Sequence, residues 1–205
     1  MNLNYHYWYF KSALTPKFCD EVITYAYKQK EEIGKTGNFD KKNLSKDEVY
    51  DLKKIRDSDI VWLNDRWIYK EIQPYVHIAN KNAGWNFEWN ETQACQFTKY
   101  KLNQYYDWHT DSSNVADDRL GRIRKLSMTC QLTDAKEYTG GELEFDFRDY
   151  NPNMRDESKH RIQCKEILPK GSIIVFPSFV WHRVKPVTSG IRHSLVAWSI
   201  GQPFK

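Results

Sequence analysis

The chain has 205 residues, of which 15% are aromatic and 28% are charged, and its formal net charge is +4. The aromatic content is sufficient for a real hydrophobic core, which excludes a disordered chain, and the length favours one domain with a subsidiary helical layer. Basic and acidic residues are interleaved without a basic stripe, so nucleic-acid binding is not indicated.

The N-terminal part is predicted to hold two helices, short strands and one irregular segment. Residues 5–13 alternate as a strand, and Thr15 followed by Pro16 marks the start of a helix that continues to about residue 32. Residues 38–59 are charged and rich in turn formers, so we expect a long irregular segment and a possible lid. Residues 60–63 predict a strand, and residues 66–82 predict a second helix.

From Trp85 onward, short runs of β-branched and aromatic residues alternate with turns. The predicted strands are residues 92–100, 122–132, 142–147, 161–168, 172–176, 181–184 and 193–200. Short strands that follow two helices indicate an α+β, mainly β, fold: an antiparallel sandwich or barrel with helices outside. Within 122–132, one of two alternating sets faces the interior, and periodicity does not say which. The sets are Leu126, Met128 and Cys130, and Ser127, Thr129 and Gln131.

Cysteine usage and the N-terminus bear on the compartment. Cys19, Cys95, Cys130 and Cys164 are far apart and form no CxxC pair, which argues against a zinc knuckle or a disulfide-rich secreted scaffold. The segment MNLNYHYWYF lacks the features of a signal peptide, and no stretch approaches the roughly 20 apolar residues that span a bilayer. We therefore expect a soluble, cytoplasmic protein with no membrane partner. The sequence carries no signal for an oligomeric state.

The stretch YYDWHTDSS, residues 105–113, places a histidine and an aspartate two positions apart. If both lie on a strand, His109 and Asp111 point to the same face and can converge on one metal ion. The chain has six histidines, so this spacing also arises by chance, and a hydrogen-bonded surface pair is the alternative.

The C-terminal third supplies the remaining residues of a plausible site. His182 lies at the start of a predicted strand, and Arg192 lies ten residues later, with Ser194 two beyond it on the same face. Two histidines and one carboxylate on one side of a metal form the facial triad suited to non-haem Fe(II) oxygenases. Arg192 is a fixed planar cation suited to binding a carboxylate.

These motifs resemble those of the Fe(II)/2-oxoglutarate-dependent dioxygenases, and most closely the prolyl 4-hydroxylase-like branch that includes the bacterial PKHD-type hydroxylases. The resemblance covers residues 93–201 and includes the turn Gly140-Gly141-Glu142. Tyr100 and Tyr106 match aromatic positions nine and three residues before the first metal histidine. The turn glycine of the family falls on Asn103, a mild departure because asparagine tolerates positive φ.

The resemblance implies a double-stranded β-helix (jelly roll) core with N-terminal helices packed on the outside. We expect one domain over residues 1–205, with 1–84 as helical support and possible lid, and 85–205 as the catalytic core. The resemblance also implies iron ligands and a co-substrate site. The expected iron ligands are His109, Asp111 and His182, and the expected 2-oxoglutarate residues are Arg192, Ser194 and Tyr100.

An oxidoreductase of this type consumes O₂ and 2-oxoglutarate, releases succinate and CO₂, and hydroxylates an unactivated C–H bond. Ascorbate is a possible reductant. The resemblance favours a prolyl or other residue of a peptide or protein as substrate; a free amino acid or small metabolite is the alternative. Two other functions stay open: a cupin-type hydrolase or isomerase with zinc in the same ligands, and a binding module without catalysis, against which the complete triad argues.

The sequence leaves several neighbouring residues without a clear role. We interpret His6 and His77 as structural, His160 as solvated, and His193 as a packing or surface residue on the face opposite Arg192. Trp108 and Trp198 fit either pocket walls or core packing. Residues 146–161 are a hairpin tip or a substrate-contacting loop.

Overall fold

The computed structural model describes residues 3–39, 42–112, 116, 119–147 and 160–204. The described chain contains three α-helices and fifteen strands. The helices are α1 (Pro16–Ala26), α2 (Lys46–Lys53) and α3 (Arg66–Asn82). The strands are β1 (Trp8–Phe10), β2 (Glu32–Ile33), β3 (Arg56–Asp57), β4 (Asp59–Leu63), β5 (Glu91–Thr92), β6 (Cys95–Tyr100), β7 (Tyr105–His109), β8 (Ile123–Gln131), β9 (Tyr138–Gly140), β10 (Leu143–Asp146), β11 (Arg161–Gln163), β12 (Ile173–Pro177), β13 (Trp181–Val184), β14 (Val187–Gly190) and β15 (Arg192–Gly201).

The strands form two main sheets. The larger has eight strands in the order β1-β12-β8-β15-β6-β4-β2, with β5 paired to the far end of β15. The smaller has five strands in the order β11-β10-β13-β7-β3, and β9 pairs with β14 separately. All of these strand pairings are antiparallel, so the prediction of a mainly β, sandwich-like fold is confirmed.

The larger sheet has two chemically different faces because its side chains alternate. One face packs against α1 and α3 in a hydrophobic cluster that includes Leu126, Met128, Cys130, Leu195 and Ala197. The opposite face of the same strands carries Ser127, Thr129 and Gln131 from β8. The structure therefore decides which alternating set of β8 faces the side away from the helices: it is the polar set.

Two helices were predicted, and three of their four ends are confirmed: the start of α1 and both ends of α3. Thr15 caps α1 by accepting a hydrogen bond from the N–H of Phe18, and α3 spans the predicted residues. The predicted end of the first helix at residue 32 is wrong, since α1 ends at Ala26. Beyond Ala26 the chain becomes strongly polar, and Glu32 and Ile33 instead pair with β4.

The prediction of an irregular segment over residues 38–59 is wrong for most of that range. Ser45 and Glu48 form a reciprocal capping box that begins α2, and β3 pairs with β7 in the smaller sheet. The capping box satisfies two N–H groups of the first turn and so stabilises the start of this helix, although its apolar content is low. Residues 40–41 lie outside the described chain, and a lid role for 38–59 stays a prediction.

Several strand boundaries also differ from the predictions. The first strand is limited to Trp8–Phe10, and residues 161–168 divide into β11 and a 3₁₀ turn at Lys165–Ile167. Of the predicted 146–161 loop, residues 148–159 lie outside the described chain, while its two ends pair as β10 and β11. Asn103 has φ +65°, which confirms that this turn requires the left-handed region. Among the described helices, none combines the length and apolarity needed to cross a membrane.

Candidate metal centre and adjoining cavity

Three predicted ligand side chains converge at one end of the smaller sheet. His109 on β7 and His182 on β13 are direct partners in the strand register, and their ring centres are 4.1 Å apart. Nε2 of His109 lies 3.8 Å from Oδ1 of Asp111, and Nε2 of His182 lies 3.6 Å from Oδ2. All three ligand atoms lie within 4.8 Å of one another, which is close enough to share one metal ion.

Asp111 reaches this point by a route that the strand pattern did not predict. Strand β7 ends at His109, so the expectation that both residues lie on one strand is wrong. The N–H groups of Asp111 and Ser112 both donate to the carbonyl of Ser178, at 2.9 Å each. Because Ser178 lies in the turn between β12 and β13, this contact ties Asp111 to the loop that precedes His182.

The hydroxyl of Ser127, itself in contact with the hydroxyl of Ser178, holds the carboxylate of Asp111 in place. Ser127 on β8 donates to Oδ2 of Asp111 at 2.6 Å, and its oxygen lies 2.9 Å from the hydroxyl of Ser178. Both serines are fully buried. Sequence analysis named Ser127 only as a member of one of two alternating sets and missed Ser178, because a serine in a turn carries no motif.

Backbone carbonyls orient both imidazoles. Nδ1 of His109 lies 2.7 Å from the carbonyl of Asp107, and Nδ1 of His182 lies 2.9 Å from that of Val180. A carbonyl can only accept, so each Nδ1 carries the proton and each Nε2 turns its lone pair toward the cluster. The ring of Tyr106 stacks on His109 at 3.5 Å and fixes the ring plane further.

The surroundings of His109 and Asp111 favour the protonation states that bind a metal cation. Burial, together with the nearby His182, lowers the pKa of His109 well below its usual value, so this imidazole is neutral at pH 7. Burial alone would raise the pKa of Asp111, but the neighbouring His182, His109 and Arg124 lower it to about 2. A neutral imidazole and an ionised carboxylate are the forms that bind a divalent metal.

Arg192 begins β15 and faces Tyr100 across the strand pairing. It is only 1% exposed, and its Nε and Nη1 have no hydrogen-bond partner among the described residues. A buried guanidinium with unused donors requires an anion, because an unpaired buried charge is costly. Gly141 makes room for it: with φ +63°, a Cβ there would lie 3.0 Å from Cδ of Arg192.

One cavity of about 690 Å³ joins these features. Every predicted site residue lines it: Tyr100, His109, Asp111, His182, Arg192 and Ser194. Trp198 also lines it, with the guanidinium of Arg124 stacked 3.9 Å from its ring centre, whereas Trp108 packs against Arg183 and lies outside this lining. Arg56 and Arg124 are cavity residues that sequence analysis missed, since isolated arginines form no pattern.

The other singled-out histidines have packing contacts. His193 is buried between the hydroxyls of Tyr27 and Thr133, at 3.0 and 2.9 Å, so the packing interpretation is confirmed. His77 packs against Trp89 and His6 stacks on Phe147. None of these three rings lines the cavity described above. The fold and the site together define a sandwich protein with a donor set that could hold one divalent metal and, in the same cavity, a buried arginine with unused donors.

Residues 95–200, just over half of the chain, match the family model of the 2OG-Fe(II) oxygenase superfamily. The chain is 33% identical over 99 residues to a PKHD-type hydroxylase of Synechococcus sp. (strain JA-2-3B'a(2-13)), which covers 48% of this chain and 39% of that relative. The match thus spans about two fifths of the length of this relative.

Two solved structures share the fold over nearly the whole chain. A viral collagen prolyl hydroxylase from Paramecium Bursaria Chlorella virus-1, in complex with 2OG, has a TM-score of 0.65 at 21% identity, and 98% of each chain is covered. A prolyl hydroxylase from Trichoplax adhaerens, in complex with a hypoxia inducible factor peptide fragment, has a TM-score of 0.67 at 15% identity, and covers 96% of this chain and 84% of that one.

The chain therefore belongs to the 2OG-Fe(II) oxygenase superfamily. The resemblance to PKHD-type hydroxylases, inferred from the motifs, is confirmed by the sequence relatives, and the fold is shared with solved prolyl hydroxylases.

Proposed function

We propose that the protein is an Fe(II)- and 2-oxoglutarate-dependent hydroxylase. The observation that carries this proposal is Arg192, a buried cation in the same cavity as the His-Asp-His cluster, with two nitrogens that bond to no other described residue. A metal site alone fits many chemistries. A metal site that shares its cavity with a buried carboxylate receptor fits a co-substrate that bridges the two.

His109, Asp111 and His182 are proposed to hold Fe(II) through two Nε2 atoms and one carboxylate oxygen. Three ligands on one side leave room on the other for co-substrates. When bound, Fe(II), 2-oxoglutarate and O₂ supply the oxidising power, since decarboxylation to succinate and CO₂ consumes one oxygen atom and the other enters the product as hydroxyl. The carbonyls of Asp107 and Val180 keep both Nε2 atoms unprotonated and aimed at the metal.

Arg192 is proposed to bind the distal carboxylate of 2-oxoglutarate. Ser194, 2% exposed, lies on the same face of β15 as Arg192, and Tyr100 is the strand partner of Arg192 on β6. Both hydroxyls are proposed to assist. The apolar side chains of Leu143, Phe176 and Val184 line the same cavity, and a low dielectric strengthens the guanidinium–carboxylate contact.

The proposed substrate is a prolyl or other residue in a peptide or protein, with a free amino acid or small metabolite as the alternative. We also propose that residues 1–205 form one domain with a double-stranded β-helix core over 85–205. Strands β1, β2 and β4 from the first 84 residues complete the larger sheet, which supports a single unit. Ascorbate is proposed only as a reductant that keeps the iron ferrous.

The first test is anaerobic addition of Fe(II) and 2-oxoglutarate, which should produce the weak visible charge-transfer band of a chelated keto acid. Under air, succinate should form, and mass spectrometry of a peptide and metabolite panel should show products that gain one oxygen atom. Arg192→Gln should lose the band at 2-oxoglutarate concentrations that saturate the wild type.

His77→Gln is the matched control for His109→Gln, because His77 is an exposed imidazole on α3 that packs on Trp89. His109→Gln should abolish the band and His77→Gln should keep it. A zinc-loaded protein that hydrolyses or isomerises a substrate without 2-oxoglutarate, with full activity in Arg192→Gln, would favour the cupin-type alternative instead.

A further inference from the structure

We propose that Arg56 is a second anion-binding residue of the cavity and that it receives a carboxylate of the substrate. The inference rests on the proposed function, because it names the substrate class of that same site. A carboxylate is carried by a free amino acid and equally by an acidic residue of a peptide.

Arg56 is 4% exposed and is held rigidly on three sides. Its Nε donates to Ser58 Oγ at 2.9 Å, and its Nη1 donates to the carbonyl of Lys35 at 3.2 Å. Its guanidinium carbon lies 4.6 Å from the ring centre of Tyr106. Gly34 permits this placement, because a Cβ there would overlap Nε of Arg56 and Oγ of Ser58.

The remaining nitrogen, Nη2, is buried and has no hydrogen-bond partner in the described chain. Three arginines of that part of the chain are buried: Arg56, Arg122 and Arg192. Arg122 pairs with Glu91 at 2.6 Å, and the buried Lys99 likewise pairs with Glu31. No carboxylate of the described residues lies within ion-pair distance of Arg56 or Arg192, so both lack the counter-charge that a buried cation requires.

The two co-substrate carboxylates leave Arg56 unsatisfied. In the proposed complex, one carboxylate of 2-oxoglutarate lies at the metal and the other lies at Arg192. Arg56 lines the same cavity beside Tyr106, and the ring of Tyr106 stacks on the imidazole of His109 with the ring centres 3.5 Å apart. An anion at Arg56 would therefore lie one aromatic ring away from His109, next to the metal cluster, where a substrate must be bound.

The charges of the cavity wall agree with an anionic substrate. Basic residues outnumber acidic ones in this wall; they are Lys35, Arg56, Arg124 and Arg192, against Glu32 and Asp111. One acid of that set, Asp111, is assigned to the metal. The cavity wall as a whole therefore carries an excess of positive charge, which favours the approach of an anionic substrate.

The test measures binding without turnover, using protein loaded with Mn(II) and N-oxalylglycine, an isostere of 2-oxoglutarate that is not decarboxylated. Calorimetry compares two matched panels. The first contains N-acetyl amino acids with a free carboxylate against their amides, and the second contains blocked prolyl peptides with aspartate or glutamate against asparagine or glutamine. A preference for acids in the first panel would indicate that the carboxylate belongs to a free amino acid. A preference in the second would indicate that it belongs to an acidic residue of a peptide.

In the wild type, the best acid of at least one panel should bind about tenfold more tightly than its amide, as expected for one charge-assisted hydrogen bond. In Arg56→Gln the two should bind within about twofold, and Arg56→Lys should retain part of the preference. Arg66→Gln, which removes the same charge from an exposed position on α3, should keep the full preference.

Equal binding of acids and amides by the wild type in both panels would overturn the proposal, and this comparison needs no variant to fold. So would an undiminished acid preference in a folded Arg56→Gln. Because no turnover is involved, an acid preference that depends on Arg56 would stand even if no succinate were ever formed. Conversely, succinate formation with acids and amides alike would leave the hydroxylase and remove only the role of Arg56.

Discussion

Ser127→Ala should weaken metal binding, because the hydroxyl of Ser127 fixes the carboxylate of Asp111. At 2.6 Å, the bond from Ser127 to Oδ2 has the length of a charge-assisted O–H···O⁻ contact. It also leaves Oδ1 as the carboxylate oxygen free to face the metal. Without it, Asp111 keeps its backbone contacts to Ser178 but loses the side-chain contact that sets its rotation.

The expected size follows from the chemistry of the bond. Removing a hydrogen bond to a buried ionised group costs about 2 kcal/mol, which corresponds to a roughly 30-fold loss of affinity. This value lies within the range of about 10- to 100-fold typical for groups that orient metal ligands.

Titration calorimetry with Mn(II) under anaerobic conditions measures the affinity directly. Ser127→Thr should restore most of it, because threonine retains a hydroxyl on the same carbon. Ser199→Ala is the matched control: Ser199 is equally buried but lies on the other face of the larger sheet, in line with Leu195 and Ala197. Wild-type affinity in Ser127→Ala, with Ser199→Ala unchanged, would refute the positioning role.

Three further predictions concern the arginine, its supporting turn and a buried imidazole. Arg192→Gln should weaken 2-oxoglutarate binding about a hundredfold, because it removes a buried ionic contact worth about 3 kcal/mol, while Mn(II) binding alone should change less than about threefold. Gly141→Ala should also weaken 2-oxoglutarate binding, since its Cβ would press on Cδ of Arg192; unchanged affinity in the same titration would show that this turn does not set the position of Arg192. Burial and then the charges of Lys99 and Arg192 lower the pKa of His193 to about 4. Between that value and the unfolded value of 6.5, the unfolded chain binds more protons, so the free energy of unfolding should decrease by about 3 kcal/mol as the pH falls from 7 to 4. Urea unfolding of His193→Gln should lack this component, and an identical pH slope in both proteins would contradict it.

Short-range sequence patterns were sufficient to predict the start of α1 and the extent of α3, because both depend on residues close together in the chain. The hydroxyl cap and proline at residues 15–16 begin α1, and apolar spacing defines α3. The capping box of Ser45 and Glu48 was an equally local signal, but only Leu52 of that helix is buried, so hydrophobic periodicity did not reveal α2.

The site depends on contacts between segments far apart in the chain, and spacing alone does not determine these. His109 and His182 meet because β7 and β13 pair in one particular register. Asp111 joins them through the carbonyl of Ser178 and not through strand alternation. The motif-based resemblance therefore identified the candidate metal ligands. The residues that orient these ligands could be identified only from the three-dimensional structure.

Residues that line the cavity alternate along strand β15 with residues that pack in the hydrophobic core. Arg192, Ser194, Val196 and Trp198 face the cavity, while Leu195 and Ala197 belong to the hydrophobic cluster beneath the helices. Neighbouring positions are therefore under unrelated constraints, one set by what is bound and the other by packing. A variant library at Val196, the half-buried member of the cavity set, would diversify ligand preference at less expense in folding than the same diversity at the buried Leu195 or Ala197.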